Sequence, residues 1–310
     1  MRPEFVWSEK YRPQVVADCV LPTAIKKSFQ AFVDQKEFPN LLLFGAPGVG
    51  KTTIAKAMLK QLDKDHTIIN ASKEGNIDTL RTKMQGYASS MSFKGGRKYI
   101  ILDEADYLTH ATQPALRNFM EEFSRNCGFI LTANYLNKVI EPLQSRCSCI
   151  DFHIAKEEKP KIASLFLHRI KHILRQENVE FQQEPLVVLI WKYFPDFRRT
   201  LNELQRHVNT YGKIDEDIFQ ASVTIPELVG FMKEKNFTKV RGWVTENLNN
   251  DTGLLFRQFY NEASELFTPD YIPMLVLTLA KYQFQAALCL DHEINFSACM
   301  AEVMVEASWR

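Results

Sequence analysis

The amino-acid sequence predicts an α/β protein, in which helices cover both faces of a parallel sheet and further helical domains follow. Three observations predict this class. Strand-like and helix-like segments alternate from Asn40 to Phe152, and such alternation is typical of parallel sheets. A glycine-rich loop joins the first strand-like segment to the first helix-like one. After Phe152 only helical periodicity continues, which indicates domains without a sheet.

The first domain is expected to contain five strands and four helices. The apolar segments predict strands over Leu41–Gly45, Thr67–Asn70, Lys98–Asp103, Phe129–Asn134 and Ser148–Phe152. The segments between them predict helices over Lys51–Leu62, Ile77–Ala88, Pro114–Phe123 and Pro142–Arg146. Ligands of such sheets bind at the carboxyl ends of the strands, so polar residues that follow a strand are the first site candidates.

Helical periodicity divides the rest of the chain into two further domains. The first has helix-like segments at Glu157–Arg175, Pro185–Tyr193 and Phe197–Tyr211. Five more follow Pro226, at Glu227–Lys235, Thr238–Leu248, Leu254–Leu266, Asp270–Leu290 and Glu293–Ala307. We therefore expect three domains, over residues 1–152, 153–225 and 226–310.

Composition and charge are those of an ordinary globular protein of 310 residues, with a formal net charge of +1. Residues 226–310 carry seven Lys/Arg and eleven Asp/Glu, so the basic excess of the remainder permits nucleic-acid binding without requiring it. The six cysteines include no C-x-x-C pair, and buried free thiols in a reducing cytoplasm are expected. The N-terminus lacks the apolar segment of a signal peptide. No membrane span is expected, because Pro273 and Lys281 interrupt the longest apolar region.

The glycine-rich loop has the features of a phosphate-binding loop. Its backbone N–H groups can surround a polyphosphate, and the following helix N-terminus adds its positive dipole. Lys51 can reach the outer phosphates, and the Thr52 hydroxyl can hold a magnesium ion. An ordinary strand-to-helix turn is the alternative, but all four fixed positions of the motif are present, so a nucleoside triphosphate site is expected. The candidate binding residues are Gly45, Ala46, Pro47, Gly48, Val49, Gly50, Lys51, Thr52 and Thr53.

Acidic and amide side chains end two later strands. Asp103 would lie beside the metal of a nucleotide hydrolase, and Glu104 would orient and deprotonate the attacking water. A solvated strand-to-helix turn is the alternative for this pair. Asn134 could bind the γ-phosphate or the water, although asparagine at a strand end is more often part of a turn.

Three arginines lie near predicted helix ends. Arg198 and Arg199 fall in the first turn of a helix whose expected N-cap is Asp196. Cations there oppose the helix dipole unless an anion is bound, and two exposed arginines are the alternative. Arg146 lies at the carboxyl end of a short helix, where a cation is favourable for structural reasons alone. Its position by itself indicates a helix cap.

Taken together, these features resemble the small ATPase subunit of sliding-clamp loaders, in the replication factor C group of AAA+ proteins, and most closely the tailed-phage version. The motifs that carry the resemblance are Trp7, Glu9-Lys10-Tyr11-Arg12-Pro13, the glycine-rich loop, Asp103-Glu104-Ala105-Asp106, Ser145-Arg146-Cys147 and Asp196–Asn202. The resemblance implies an AAA+ P-loop NTPase domain, a helical lid and a helical collar for oligomerisation, in the order of the three expected domains.

The resemblance assigns roles in the nucleotide site that residue spacing does not. Arg146 would be an arginine finger that acts in trans on the ATP of a neighbouring subunit. Arg198 would be the second sensor, carried by the lid onto the γ-phosphate, and Asn134 would be the first sensor. Tyr11 and Arg12 would also contact the nucleotide.

Other residues would serve regulation and partners. Asn70 would hold Glu104 in an inactive pose until DNA binds, and Gln113 would couple the nucleotide, DNA and clamp surfaces. The DNA candidates, for which solvated surface is the alternative, are Arg81, Lys94 and Arg97. The clamp candidates, for which a place in the core is the alternative, are Phe119, Met120 and Phe123.

The implied function is that of a clamp-loader ATPase that uses ATP and Mg²⁺. Identical subunits and a distinct one would form a partial ring that holds an open ring-shaped clamp, and primer–template DNA would trigger hydrolysis and release. An AAA+ helicase or replication initiator is a rival, but residues 226–310 contain no basic recognition helix. A non-catalytic nucleotide-binding scaffold subunit and a small-molecule kinase are further rivals.

Overall fold

The computed structural model describes residues 5–72, 77–92, 95–215, 218, 225–247 and 252–310. The chain divides into two compact units, Met1–Ile218 and Phe219–Arg310. The first unit contains the sheet, and the described part of the second is helical. The domain boundaries after residues 152 and 225 stay predictions.

A five-stranded sheet of order β2-β3-β4-β1-β5 organises the first unit. Its strands are β1 (Leu41–Phe44), β2 (His66–Asn70), β3 (Lys98–Asp103), β4 (Cys127–Ala133) and β5 (Ser148–Asp151). Every neighbouring pair is parallel, which confirms the predicted class. In the register of β1 and β5, Leu41 pairs with Ser148. The start of β5 therefore lies at the amino-terminal end of the strands, where β1 begins. The glycine-rich loop follows β1 at the opposite, carboxyl end.

Helices connect and cover the strands of the first unit. They are α1 (Trp7–Lys10), α2 (Thr23–Gln35), α3 (Lys51–Gln61), α4 (Ile77–Ser89), α5 (Thr112–Glu122), α6 (Glu141–Gln144), α7 (Lys159–Gln176), α8 (Gln183–Tyr193) and α9 (Phe197–Tyr211). The sequence did not indicate α2. Only Ile25 and Phe29 of its 13 residues are buried, so its apolar stripe is narrow.

Both faces of the sheet are buried, and β1 shows how. Leu41 and Leu43 pack on one face with residues of α2 and α3, such as Met58. Leu42 packs on the opposite face with Leu116 of α5. Successive side chains of a strand point to opposite faces, and here both faces are covered. That is why the strand is apolar throughout rather than alternating with polar residues.

Two expectations about the first unit are wrong. A second, two-stranded parallel sheet pairs β6 (Glu180–Phe181) with β7 (Lys213–Ile214), although strands were expected to end at Phe152. Two residues are too few to leave an alternating pattern in the sequence. Cys149 is exposed, and not buried as expected, because it belongs to the edge strand β5. All six cysteines are free, and Cys19, Cys127 and Cys299 are buried.

The second unit has its own apolar core. Its helices are α10 (Ile225–Lys233), α11 (Phe237–Asn247), α12 (Thr252–Leu266), α13 (Ile272–Ala286) and α14 (His292–Glu306). Phe259, Phe267 and Phe296 are fully buried within it. The predicted helix to Leu290 ends earlier, since the chain turns to begin α14, where the Asp291 carboxylate accepts two backbone N–H groups. No helix in the described ranges is long and apolar enough to cross a membrane.

Candidate nucleotide-binding and catalytic site

The glycine-rich loop connects β1 to α3 at the carboxyl edge of the sheet. A cavity here is lined by the loop, by the ends of β3 and β4, and by residues of α7 and α9. Gly48 has φ +73°, and a Cβ atom there would lie 1.8 Å from Asp196 Oδ1. A side chain would collide with the residue before α9 and would strain the backbone. The loop and the first turn of α9 are therefore in direct contact.

Lys51 is the buried cation of the loop. Its side chain reaches back along the loop, where Nζ donates to the carbonyl oxygens of Gly45 at 2.7 Å and Ala46 at 2.8 Å. The same Nζ donates to Asn134 Oδ1 at 3.0 Å, and Asp106 Oδ2 accepts the backbone N–H of Asn134 at 3.2 Å. Burial lowers the pKa of Lys51 to about 8, because nearby carboxylates offset only part of the lost hydration. The structure thus brings the loop lysine and the predicted first sensor together.

Asp103 ends β3 and accepts two hydroxyl hydrogen bonds. Its Oδ1 lies 2.7 Å from Thr52 Oγ1 and 2.6 Å from Thr132 Oγ1. Carboxylate and hydroxyl oxygens are the hard ligands that Mg²⁺ prefers, so the two predicted metal ligands fit that ion. The described residues contain no cluster of three or more metal-ligating side chains, and Mg²⁺ commonly takes its remaining oxygens from phosphates and water. Sequence reasoning missed Thr132, a polar residue within an otherwise apolar strand.

Glu104 has an unusual backbone conformation. Its φ is +59°, in the left-handed region that costs a residue with a side chain roughly 1–2 kcal/mol. Its backbone N–H donates to Thr132 Oγ1 at 3.1 Å, which helps to hold this turn. Asp103 and Glu104 both line the cavity, where separate metal and water roles are predicted for them. Strained residues of this kind cluster at functional sites.

The first turn of α9 carries the two predicted lid arginines. Asp196 caps the helix as expected, since its Oδ1 accepts the backbone N–H of Arg199 at 2.9 Å. Arg198 lines the cavity together with Lys51. Arg199 instead lies over the ring of Tyr193, at 4.8 Å from its centroid. The structure therefore separates the two arginines and brings only Arg198 to the loop.

The N-terminal segment forms another wall of the cavity. Tyr11 and Arg12 line it, and Arg12 Nη1 donates to Thr53 Oγ1 at 3.5 Å. The Tyr11 hydroxyl donates to Glu177 Oε1 at 2.5 Å, and its carbonyl accepts from Arg169 Nη2 at 2.8 Å. The segment is thus bonded to both the loop helix and α7. Sequence reasoning missed Arg169, which lies on a helix with ordinary amphipathic spacing, and Glu177, which directly follows the end of that helix.

Arg146 lies just before β5, and therefore at the amino-terminal end of the strands. Its own glycine-rich loop lies at the opposite, carboxyl end. Its Nε donates to Glu121 Oε1, its Nη2 forms an ion pair with the same oxygen, and its Nη1 donates to the Pro142 carbonyl at 2.9 Å. The Pro142 contact is the helix-capping role expected from position alone. The side chain is 34% exposed, so it remains open to a partner.

The two predicted regulatory residues differ in their contacts. Asn70 Oδ1 accepts from the backbone and the hydroxyl of Ser72, so this oxygen serves its own turn. Gln113 is buried. Its Nε2 donates to the carbonyls of Leu108 and Lys138, and its Oε1 accepts from the backbone N–H of Ile140. Gln113 thus ties the start of α5 to the segment between β4 and α6.

Two of the three predicted DNA residues lie in the described part of the chain. Arg81 is exposed on α4, and Lys94 lies outside the described residues. Arg97 precedes β3, at the edge opposite the loop, and its Nη2 donates to the Cys127 carbonyl at 3.0 Å. The assignment of these residues to DNA stays a prediction.

Two of the three clamp candidates are core residues. Phe119 and Met120 are buried against the sheet, and Phe123 is partly buried against the same cluster. Their burial favours the core alternative for Phe119 and Met120, and the clamp assignment stays a prediction. The spacing on α5 reflects packing on the sheet.

The loop, the acid pair and the lid arginine define the class of protein first: a P-loop ATPase of the AAA+ type. Comparison with family models agrees. Residues 41–158 match the ATPase family associated with various cellular activities (AAA). Residues 158–220 match the AAA+ ATPase lid domain of the sliding-clamp-loader large subunit.

Relatives along the whole chain define the family more closely. The chain is 35% identical to the sliding-clamp-loader large subunit of Escherichia phage RB69, over 77% of this chain and 76% of the relative. It is 33% identical to replication factor C subunit 5 of Mus musculus, over 96% and 91% of the two chains. It is 32% identical to the replication factor C small subunit of Sulfurisphaera tokodaii, over 98% and 97%. The chain belongs to this family of clamp-loader and replication factor C subunits, and is an AAA+ ATPase that binds nucleotide and hydrolyses ATP.

Solved structures support the fold alone. The Thermotoga maritima RuvB Holliday junction branch migration motor matches with a TM-score of 0.56 at 16% identity, over 84% of this chain and 93% of that one. At this identity the likeness shows a shared AAA+ architecture and carries no information on the substrate.

Proposed function

We propose that this protein is the ATPase subunit of a sliding-clamp loader and that each ATP is bound between two subunits. The observation that supports this most is the place of Arg146. It lies across the sheet from its own loop and remains 34% exposed, so it is better placed to serve a neighbour's nucleotide than its own. An arginine supplied in trans is a known device for stabilising charge in phosphoryl transfer.

Within one chain, the cavity residues divide the work of binding. The loop N–H groups and Lys51 bind the β- and γ-phosphates, and Arg198 closes the lid onto the γ-phosphate. Asn134 follows that phosphate as first sensor, and Tyr11 and Arg12 complete the wall from the N-terminal segment. Contacts among these residues support the assignment, because Lys51 already touches Asn134 and shares its cavity with Arg198.

Hydrolysis needs a water in line with the γ-phosphorus. Glu104 accepts a proton from this water as it attacks, and the bond from the γ-phosphorus to the bridging oxygen breaks, which gives ADP and phosphate. Thr52 and Asp103 would hold Mg²⁺ through their oxygen atoms, and the ion would neutralise phosphate charge. Arg146 of the neighbouring subunit stabilises the charge that develops on the transferred group.

The partners follow from the family and are part of the proposal. Copies of this chain and a distinct subunit form a partial ring that holds an open ring-shaped clamp, and primer–template DNA triggers hydrolysis and release. The second unit would act as the collar of this ring. Its helix α13 exposes Leu277 and Phe284 by 67% and 72%, and exposed apolar side chains of this size are typical of association surfaces.

Communication between DNA and nucleotide is assigned to the two regulatory residues. Gln113 bonds to the backbone of Lys138 and Ile140, within the segment between β4 and α6, so it can transmit a shift of that segment to α5. Asn70 would restrain Glu104 before DNA binds. DNA contacts by Arg81, Lys94 and Arg97 remain predictions of the sequence.

The alternatives gain little support. A helicase or initiator of the winged-helix kind would need a DNA-reading module with a strand hairpin after the lid. The described part of the second unit contains five helices and one isolated β-bridge, between Phe267 and Trp309. A non-catalytic scaffold would not need Lys51, Asp103 and Glu104 arranged as they are.

Replacement of Arg146 by alanine tests the proposal. In the reconstituted loader, Arg146→Ala should lower the DNA- and clamp-stimulated ATPase rate on the order of 10³-fold or more. ATP binding to the isolated protein should be unchanged, because the residue lies outside its own cavity. Arg125→Ala, at an exposed arginine near the end of α5, is the matched control. A normal turnover rate for Arg146→Ala would contradict the trans role.

A further inference from the structure

Arg146 is not a free side chain in this structure, and its chief partner is Glu121 near the end of α5. One carboxylate oxygen, Glu121 Oε1, accepts from Nε and pairs with Nη2 of the same guanidinium. The Pro142 carbonyl accepts from Nη1 on the other side. The guanidinium is thus held from two directions by its own chain.

These contacts leave part of the guanidinium available. It has five N–H groups, one on Nε and two on each Nη. The contacts with described residues use the Nε–H, one N–H of Nη1 and one of Nη2. One N–H remains on each Nη, and two such groups suit the bidentate recognition of a phosphate.

Both contacts to the guanidinium come from well-anchored elements. Glu121 follows Phe119 and Met120, whose burial fixes the last turns of α5 on the sheet. Pro142 belongs to α6, and Gln113 ties the start of α5 to the backbone just before α6. Glu121 and Arg146 therefore keep a defined relative position despite their exposure.

We propose that Glu121 is a positioning residue for the arginine finger: its carboxylate fixes the Arg146 guanidinium so that the remaining N–H groups face the neighbour's γ-phosphate. This proposal rests on the proposed trans role of Arg146. Arginine is flexible, and an oriented guanidinium loses less conformational freedom when it meets the transition state. The ion pair is partly exposed and weak, so it orients Arg146 without preventing the guanidinium from reaching the neighbour's phosphate.

The test uses the reconstituted loader with its clamp and primer–template DNA. Glu121→Ala should lower kcat roughly 2- to 5-fold, which is the range that a weak, partly exposed ion pair can supply. The KM for ATP should be unchanged, because the loop and lid that bind ATP are intact. Glu121→Gln keeps an oxygen acceptor and should restore most of kcat. Glu122→Ala, at the next exposed residue on the same helix, is the matched control.

A second experiment separates orientation from a general effect on the fold. In an Arg146→Ala background, Glu121→Ala should cause no further loss, because the residue that it positions is gone. An equal loss in both backgrounds would overturn the proposal. A higher kcat for Glu121→Ala would also overturn the proposal, because Glu121 would then inhibit the arginine finger. A silent Glu121→Ala beside an inactive Arg146→Ala refutes only the role of Glu121, whereas an active Arg146→Ala refutes the proposed trans role as well.

Discussion

Lys51 and Arg146 are both cations assigned to the phosphates of ATP, yet the fold holds them in different ways. Lys51 is 8% exposed and donates to three oxygens of its own chain. Arg146 is 34% exposed and is paired with Glu121, which is 50% exposed. One cation is built into a pocket, and the other is presented on a surface.

The difference follows from where each cation must act. A group that serves its own ligand can be buried and fixed by the surrounding chain. Burial disfavours its charged form, as the lowered pKa of Lys51 indicates. A group that serves a neighbour must stay exposed, and its orientation then depends on a few surface contacts. Under the proposed function, the site therefore has a rigid half, the cavity around Lys51, and an oriented half, the paired Arg146 that acts on the next subunit's ATP.

The largest expected effect comes from mixing two inactive variants, and it tests this division directly. Glu104→Gln should inactivate the site in its own chain by roughly 10²–10⁴-fold, whereas Arg146→Ala should inactivate the neighbour's site. An interface that combines the loop of an Arg146→Ala chain with the arginine of a Glu104→Gln chain contains both wild-type groups. In a random equal mixture, about a quarter of head-to-tail interfaces have this composition.

ATP turnover of reconstituted loaders at several mixing ratios measures this recovery. Each variant alone should be almost inactive, and the equal mixture should regain activity that neither component has. A mixture that stays as inactive as its components would break the comparison, because it would place both groups in one site of one chain.

The sequence predicted the rigid half of the site better than the oriented half. The order of strand, glycine loop and helix placed Lys51 and Thr52, and the apolar strand before Asp103 placed the acid at the same edge. These are local patterns with a direct structural consequence. Contacts made by residues distant in sequence left no such pattern, which is why Thr132, Arg169 and Glu177 were missed.

Arg146 shows what the sequence could not predict about the oriented half. Its place at a helix end indicated only a cap, and the structure does contain that capping contact to Pro142. The trans role came from family resemblance, and the partner Glu121 came only from the structure. Helix α5 shows the same limit, since one apolar pattern suited both a clamp surface and a core, and the burial of Phe119 and Met120 favours the core.

A smaller effect should distinguish the two cations by pH. The pKa of Lys51 is about 8 in the nucleotide-free protein, and the negative phosphates of ATP should raise it, so binding takes up a proton above that pH. ATP affinity should therefore fall about tenfold between pH 7 and pH 9. Isothermal titration calorimetry with the isolated protein measures both the affinity and the proton uptake.

The control for this pH effect is Lys51→Arg, whose guanidinium stays charged throughout the range. Whatever its affinity, the steep fall between pH 7 and pH 9 should disappear. An unchanged pH dependence in Lys51→Arg would assign the effect to another group.

The smallest effect concerns the N-terminal segment, which supports the rigid half from outside the loop. Gln205 of α9 accepts the backbone N–H of Trp7 at 2.9 Å and donates to the Phe5 carbonyl at 2.8 Å. Gln205→Ala removes both contacts and should destabilise the first unit by about 1–3 kcal/mol. The unfolding transition that ATP shifts to higher temperature reports on this unit, and its midpoint should fall. Arg206→Ala, at the next residue, which is 62% exposed, should leave it unchanged. If Gln205→Ala instead lowered ATPase at an unaltered midpoint, the segment would act on catalysis rather than as a support of the fold.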